Sequence, residues 1–281
     1  MSTALDNLGF QLIPPGPALR PFVRCYWAFT RAAPLIGLRE EYMHPTGGYG
    51  IVFNFGDPVQ LSGQKVTAPV FLDGTNTASS KMGFQGKVEQ IGVSFWVGGG
   101  YSFLGVPLEV VRDIPLALAE LDRAGMDSLY GRLCEAPNLQ TRIALLEAWL
   151  LDRLRQGRER HPIVPETLAA LRAVQGQVAI PTLADRFYIS QRQLERLYKT
   201  QVGISPKQYA GLLRVEAARL ALKHLQTRSL TDLAVEYGFY DQAHFIREFS
   251  AVVGLTPHRY VERSRQRDLD QPGLPLLSGN D

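Results

Sequence analysis

One pattern of residues is written twice in roughly the last hundred positions of this chain. Leu183-Ala184, Phe187, Leu194, Tyr198, Gly203, Ser205-Pro206 and Tyr209 return as Leu233-Ala234, Tyr237, Phe245, Phe249, Gly254, Thr256-Pro257 and Tyr260. An internal repeat of this kind restricts the region to two copies of one helical unit with a tight turn in the middle. In the first copy the spacing predicts a short helix from Pro181 to Phe187 with Leu183 and Ala184 inward, then a turn at Tyr188-Ile189. Ser190 is placed to cap a second helix reaching Thr200, with Gln193 three residues on for a capping box. In the second copy Thr231 caps Asp232 to Tyr237, and Gly238 supplies a left-handed turn residue that needs no Cβ. Asp241 then caps a helix running to about Val253, with Phe245, Phe249 and Val252 inward.

The outer faces of the two second helices carry the chemistry. Gln191, Arg192, Glu195 and Arg196 lie opposite the apolar face of the first. These are the residue types a DNA major groove calls for: Arg pairs with guanine, Gln with adenine, and Glu accepts from cytosine. Their place in the first turns is where a recognition helix reaches base edges. A solvated amphipathic face would look the same on one helix alone, and the second copy shifts the balance. There Gln242, His244, Ile246 and Arg247 lie around the remaining surface; Ile246 either meets a thymine methyl or packs in the core. Ser205-Pro206 starts a long helix with proline at the tolerated first position. From Lys207 to Lys223 it would span roughly 25 Å, a strut able to hold two reading helices about one DNA turn apart.

Charge divides at the same place as the repeat. Residues 158–267 hold 17 Lys and Arg against 10 Asp and Glu, and the rest of the chain holds 13 against 17. A basic third beside a slightly acidic remainder fits a polyanion-binding module fused to a different domain, or a solvated basic surface. With 281 residues, two domains are expected. Cys25 and Cys134 form no metal-ligand spacing, so reduced thiols in a cytoplasmic protein are expected. No signal peptide is read at the N-terminus, and the uncharged run Ile91 to Leu108 is rejected as a membrane span because glycines interrupt it and it alternates at the strand period.

From Arg20 to about Val97 the pattern is that of strands. Val23, Cys25, Trp27 and Phe29 alternate with Arg24, Tyr26 and Ala28, and Tyr49, Ile51, Phe53 and Phe55 with Gly50, Val52 and Asn54. Pro and Gly clusters separate the runs, which suggests a sandwich or small barrel. After Pro107 the register turns helical. Leu139, Ile143, Leu146, Leu150 and Leu154 form one stripe, on a helix expected from Pro137-Asn138 to Gly157, that either packs on the strands or forms a subunit interface. Under the second reading, Leu146 and Leu150 would hold a homodimer together. Pro162 and Pro165 are expected to block helix until about Glu166. The expected organisation is α+β: a mostly-β N-terminal domain over 1–157 (strands about 20–97, helices about 107–157), a linker over 158–165, an all-α double helix-turn-helix domain, homeodomain-like in its units, over 166–267, and a disordered tail over 268–281.

The repeated units, with the run Asp232 to Phe249 and the closing Gly254-Leu255-Thr256-Pro257-His258-Arg259-Tyr260, resemble the AraC/XylS family of bacterial transcription regulators. The resemblance covers about the last hundred residues. It implies a seven-helix DNA-binding domain with one recognition helix per half, set into successive major-groove segments. The family's base-reading positions fall on Arg192, Glu195 and Arg196 and on Gln242, Ala243, Ile246 and Arg247, with Ala243 departing from a polar preference. Promoter DNA is the implied partner, with RNA polymerase another for an activator.

The N-terminal part resembles more weakly the strand-rich sensor domains of some such regulators, through His44-Pro45-Thr46-Gly47-Gly48 and Ile51 to Asp57. That implies effector sensing or dimerisation with no ligand identified. Were the strands to enclose a cavity, Gln90 and Trp96 would face it with Tyr26, His44 and Asn54, each more readily read as structural or exposed than as ligand-binding.

Enzymatic readings find little support. Of five histidines only His44 precedes the linker, so no multi-histidine metal site can form there. No Gly-x-Ser-x-Gly elbow or phosphate loop is present, and neither cysteine has the setting of a DNA-repair methyl acceptor. No cofactor or metal is expected. An adaptor that dimerises without sensing a ligand remains the rival reading.

Overall fold

The structure, a computed structural model, describes residues 9–45, 47–74, 77–112, 115–117, 123–223 and 229–270. Among the described residues the N-terminal part holds ten strands: β1 (Phe10–Ile13), β2 (Val23–Thr30), β3 (Leu35–Met43), β4 (Gly50–Asn54), β5 (Val59–Leu61), β6 (Gln64–Val66), β7 (Val70–Asp73), β8 (Ser80–Gly86), β9 (Glu89–Phe95) and β10 (Pro115–Ala117). They form a six-stranded sheet ordered β1-β2-β9-β4-β7-β10 and a four-stranded sheet ordered β3-β8-β5-β6. The pairings are antiparallel. The result is the expected sandwich, with strands beginning earlier and ending later than the alternation indicated. Pro115 to Ala117, in a region read as helical, adds the edge strand β10 beside β7.

Helix α1 (Tyr101–Leu104) follows β9, and α2 (Arg123–Glu135) and α3 (Leu139–Gln156) follow β10. They cover one face of the large sheet, and the small sheet covers the other. Ile51, Phe53, Ile91 and Val93 share the helix-side core with Leu129, Leu133, Leu146 and Leu150. Val52, Phe71 and Phe29 meet Met82 and Phe84 between the sheets. A strand covered on both faces need not alternate apolar with polar. Hence Gln90 and Gly92, opposite Ile91 and Val93, are buried too, and Ser94 is half-buried. Gly92 lies directly under the Trp27 indole, which leaves no space for a Cβ. At Gly92 the face proposed for an effector cavity is therefore occupied by Trp27.

Two further expectations change. A register shift between Val23 and Cys25 puts Val23 on the helix side with Tyr26 and Ala28, whereas Phe29 faces the small sheet. A bulge adds one residue to one strand and so reverses the faces beyond it. The α3 stripe belongs to the chain's own core: Leu146 and Leu150 are 0% exposed. They cannot meet a second copy, and the dimer expectation resting on them is withdrawn. The ends of α3 are as the sequence indicated, with Asn138 accepting from Thr141 N–H and Gly157 after the last turn.

The C-terminal part is all helix: α4 (Ile163–Ala173), α5 (Ile180–Arg186), α6 (Gln191–Gln201), α7 (Pro206–Lys223), α8 (Leu230–Glu236), α9 (Gln242–Val253) and α10 (Pro257–Asp270). Helix α4 begins at Ile163 rather than after Pro165, because the first turn of a helix has N–H groups without intrahelical acceptors and loses nothing to proline. Helix α10 continues past Asp268 to Asp270, into the stretch expected to be disordered; residues 271–281 lie outside the described residues.

The repeat is visible in the packing. Residues 181–190 and 231–240 show the same order of buried and exposed positions. Each unit has its own core, one around Leu183, Ala184, Leu194 and Tyr198 and one around Leu233, Ala234, Phe245 and Phe249. Helix α7 serves both: Tyr209, Ala210 and Leu212 enter the first core, and Val215, Ala218 and Leu222 the second. This explains why the sequence of α7 is apolar on more than one side. The copies differ in the turn, where the second has one residue more before its cap.

The two domains meet along a seam. Val97 packs in the first unit's core, and Gly98 lies against Leu168 and Val164. The Ser79 N–H donates to Val252 O at 2.7 Å, and Gly47 lies under the Tyr209 ring. In the linker, the Arg160 guanidinium covers the Phe22 ring at 4.5 Å and donates to Pro21 O, and His161 N–H donates to Gln201 Oε1 at 3.0 Å.

Candidate nucleic-acid interface

Each candidate reading helix is fixed by a buried apolar face and a capped start. In α6, Leu194 and Tyr198 are 0% exposed, and Ser190 Oγ accepts from Gln193 N–H at 3.2 Å. Burying a leucine and a tyrosine on one face contributes several kcal/mol, of the order of ~2 for each side chain. A polar chain adds to this: Tyr198 OH donates to Thr167 Oγ1, which donates to Ile163 O. In α9, Phe245 and Phe249 are 0% exposed and stack edge to face at 5.5 Å. Asp241 Oδ1 accepts from His244 N–H at 2.6 Å.

With those faces buried, the opposite faces are exposed. On α6, Gln191, Arg192 and Arg196 are exposed, and Glu195 is half-buried. Gln191 Nε2 donates to Glu195 Oε1 at 3.0 Å, so these two are paired along the helix. On α9, Gln242, Ala243 and Arg247 are exposed. Ile246 is partly buried and packed against the second core, which favours the packing alternative for it. Gln242 Oε1 accepts from Thr231 Oγ1 at 2.8 Å, so α8 orients the first residue of α9. Thr231 is not the cap of α8. Ser229 is, in a closed capping box with Asp232, because its extended backbone places its hydroxyl before the helix.

His244, grouped with the surface residues, is committed to structure. Its Nδ1 accepts from Tyr240 N–H at 3.2 Å, which puts its proton on Nε2, facing Glu248 Oε1 at 3.3 Å. The structure also brings forward residues the sequence reading did not single out. Tyr188 and Tyr240, 99% and 91% exposed, stand beside the starts of α6 and α9. Tyr188 takes the left-handed conformation at φ 52° where the second unit has Gly238 at φ 73°. The repeat alignment pairs these two positions and could have revealed the strain.

The speculative effector residues separate into four places. Asn54 and Gln90 are together: Gln90 Nε2 donates to Asn54 Oδ1 at 3.2 Å, beside a cleft bordered by Asp57, Phe84 and Lys87. That cleft has no interior volume a water could fill. Tyr26 is 0% exposed in the helix-side core, where burial and the nearby Glu147 raise its hydroxyl above the usual tyrosine range. His44 lies in the seam, with Nδ1 2.8 Å from Ser79 Oγ and its ring edge-on to Tyr260. Trp96 is 37% exposed, donates to Arg20 O and has Arg24 over its ring. Thr46, read with His44, lies outside the described residues. Among the described residues no group of three or more His, Cys, Asp and Glu could hold a metal ion, and no helix is long and apolar enough to cross a membrane.

Two capped helix-turn-helix units sharing one strut, carried on a two-sheet sandwich, define a double helix-turn-helix protein. Residues 183–263 match a family described as a helix-turn-helix domain, and residues 11–114 match a domain family of unknown function, DUF6597. The HTH-type transcriptional activator RhaS of Escherichia coli is 32% identical over 120 residues, or 43% of this chain and 36% of RhaS. The match thus spans about a third of that relative. A solved AraC-type regulator from Chromobacterium violaceum is similar at 26% identity over 37% of this chain and 94% of that one, TM-score 0.35. ToxT from Vibrio cholerae aligns over 84% of this chain and 97% of its own at 9% identity, TM-score 0.43. The residues matched to the helix-turn-helix family contain both repeated units and the strut between them.

Proposed function

We propose that this protein is a sequence-specific DNA-binding regulator of transcription that sets α6 and α9 into successive major-groove segments of one duplex. The observation that carries the reading is the pair of exposed polar faces, each backed by its own core and joined through α7. Arg192, Glu195 and Arg196, with Gln191 as their neighbour, read one subsite. Gln242 and Arg247 read the other, Ala243 offers only apolar contact, and Ile246 sets the depth of α9. The division of labour is residues 1–157 for sensing or assembly and 166–267 for DNA, with 158–165 as linker. No catalytic role is assigned, and RNA polymerase is a partner only if the regulator activates.

Arg and Lys contacts to phosphates supply salt-dependent affinity, and base contacts supply specificity. A gel shift on promoter fragments at two salt concentrations tests this. Preferred binding to particular fragments, weakening as salt rises, is expected; equal binding to random DNA would contradict it.

An effector acts only through a difference in affinity between two states. The seam at His44, Gly47 and Ser79 offers such states, docked and released, more directly than α3, whose stripe is locked in the core. The filled space under Trp27 favours a second reading, an adaptor without ligand sensing. Melting the protein with a panel of metabolites separates the two, since a ligand bound only by the folded state raises Tm.

A further inference from the structure

Helix α7 carries one unit on each half, and a joint at its middle decides how the two units are set relative to one another. Arg214 occupies that joint. Its Nη1 donates to Gly176 O at 3.2 Å, in the connection between α4 and α5 of the first unit. Its Nη2 donates to Glu248 Oε2 at 3.2 Å, on α9 of the second. The guanidinium also faces the Phe239 ring at 5.6 Å, in the second unit's turn. Glu248 in turn receives His244 Nε2, whose Nδ1 receives Tyr240 N–H, so the chain of bonds ends at the start of α9.

A second observation points the same way. The turn at Gly238 rests on the α4–α5 connection: a Cβ there would lie 3.2 Å from Gln177 Cγ and 3.5 Å from Arg214 Cδ. The two units are therefore in contact across α7, and Arg214 is the polar centre of that contact. Its side chain is 15% exposed and its Nε–H has no hydrogen-bond partner among the described residues. A guanidinium buried with one donor unsatisfied contributes little net stability. What it does contribute is direction, because a planar fork with fixed donors holds both acceptors in one geometry.

We propose that Arg214 is the positioning residue that fixes the phase between α6 and α9, so that the protein accepts its two DNA subsites at one spacing only. This rests on the DNA-reading function above. Methionine fills a similar volume without the fork, and Glu248→Gln keeps the shape while removing the charge.

The test begins with duplexes selected by the wild-type chain from random DNA, each compared with a copy carrying one extra base pair between subsites. The insertion moves one subsite by about 3.4 Å and about a tenth of a turn. Wild type is expected to lose at least tenfold in affinity on insertion. Arg214→Met and Glu248→Gln are expected to bind the parent site threefold to tenfold more weakly and to lose less than threefold on insertion. Arg214→Lys, which reaches one acceptor at a time, falls between.

If both variants keep the tenfold penalty, the proposal is overturned while DNA reading stands. If wild type selects no sequence, DNA reading fails and this role with it. Glu248→Gln leaves Arg214 in place and keeps the test open should Arg214→Met not fold.

Discussion

At the scale of residues, the molecule is set by a few charges and backbone conformations that the repeat makes comparable. Burial pushes the Glu89 carboxyl up, but hydrogen bonds and charge from Lys87 and Arg142 outweigh this and hold it below the usual carboxylate range. A carboxylate with a lowered folded-state pKa adds stability above its unfolded pKa and loses it as pH falls through the folded value. Glu89→Gln is therefore expected to cost about 1–2 kcal/mol at neutral pH and nothing once the wild-type carboxylate is protonated. Urea unfolding across acid to neutral pH measures this, and a pH-independent cost would contradict it. The turn residues give a second case. Gly238→Ala places a Cβ at φ 73° and is expected to destabilise by about 1–2 kcal/mol, whereas Tyr188→Gly relieves the same strain and costs nothing beyond chain entropy. Equal effects from the two substitutions would show that the turns are not equivalent. Such residues were half legible in the sequence. Gly238 announced its turn by type, but Tyr188 occupies the same conformation and gave no sign of it alone.

Among the elements, helices were more legible than strands, and the reason is physical. A helix states its ends locally, through Asn138, Ser190 and Asp241, and its buried face through spacing alone. A strand's faces depend on what covers them. The alternation in β4 gave its helix-side residues correctly, but β9 is covered on both sides, and the bulge in β2 reversed Val23 against Phe29. Trp27 over Gly92 closed a space that periodicity left open, so the grouping of Gln90 with Trp96 and His44 failed. Ser229 rather than Thr231 caps α8, an error of position because both residue types can cap. Ser229→Ala is expected to cost about 1 kcal/mol. Thr231→Ala leaves the cap intact and acts instead on the orientation of Gln242. Denaturant titration of both variants checks the assignment, and a larger loss from Thr231→Ala would reverse it.

For the whole molecule, nothing in the sequence indicated the seam, since its contacts join residues far apart in the chain. Gly47 under Tyr209, and Ser79 on Val252, come together only once both domains have folded. A Cβ at Gly47 would lie 3.2 Å from Tyr209 Cδ2 at φ 73°, so Gly47→Ala is expected to loosen docking. The linker arginines Arg158 and Arg160 should then be cut by trypsin several-fold faster, without loss of either domain's own fold. An unchanged cleavage rate would mean that the seam is not what holds the linker. In the proposed function one duplex is read in two halves by different side chains, Arg196 with its neighbours in one and Gln242 with Arg247 in the other. Selecting sites from random DNA with wild type, Arg196→Ala and Gln242→Ala tests it most directly. Each substitution should relax base preference in one half of the site only, by about 1–3 kcal/mol at the affected position. Relaxation of both halves together, or of neither, would contradict the account.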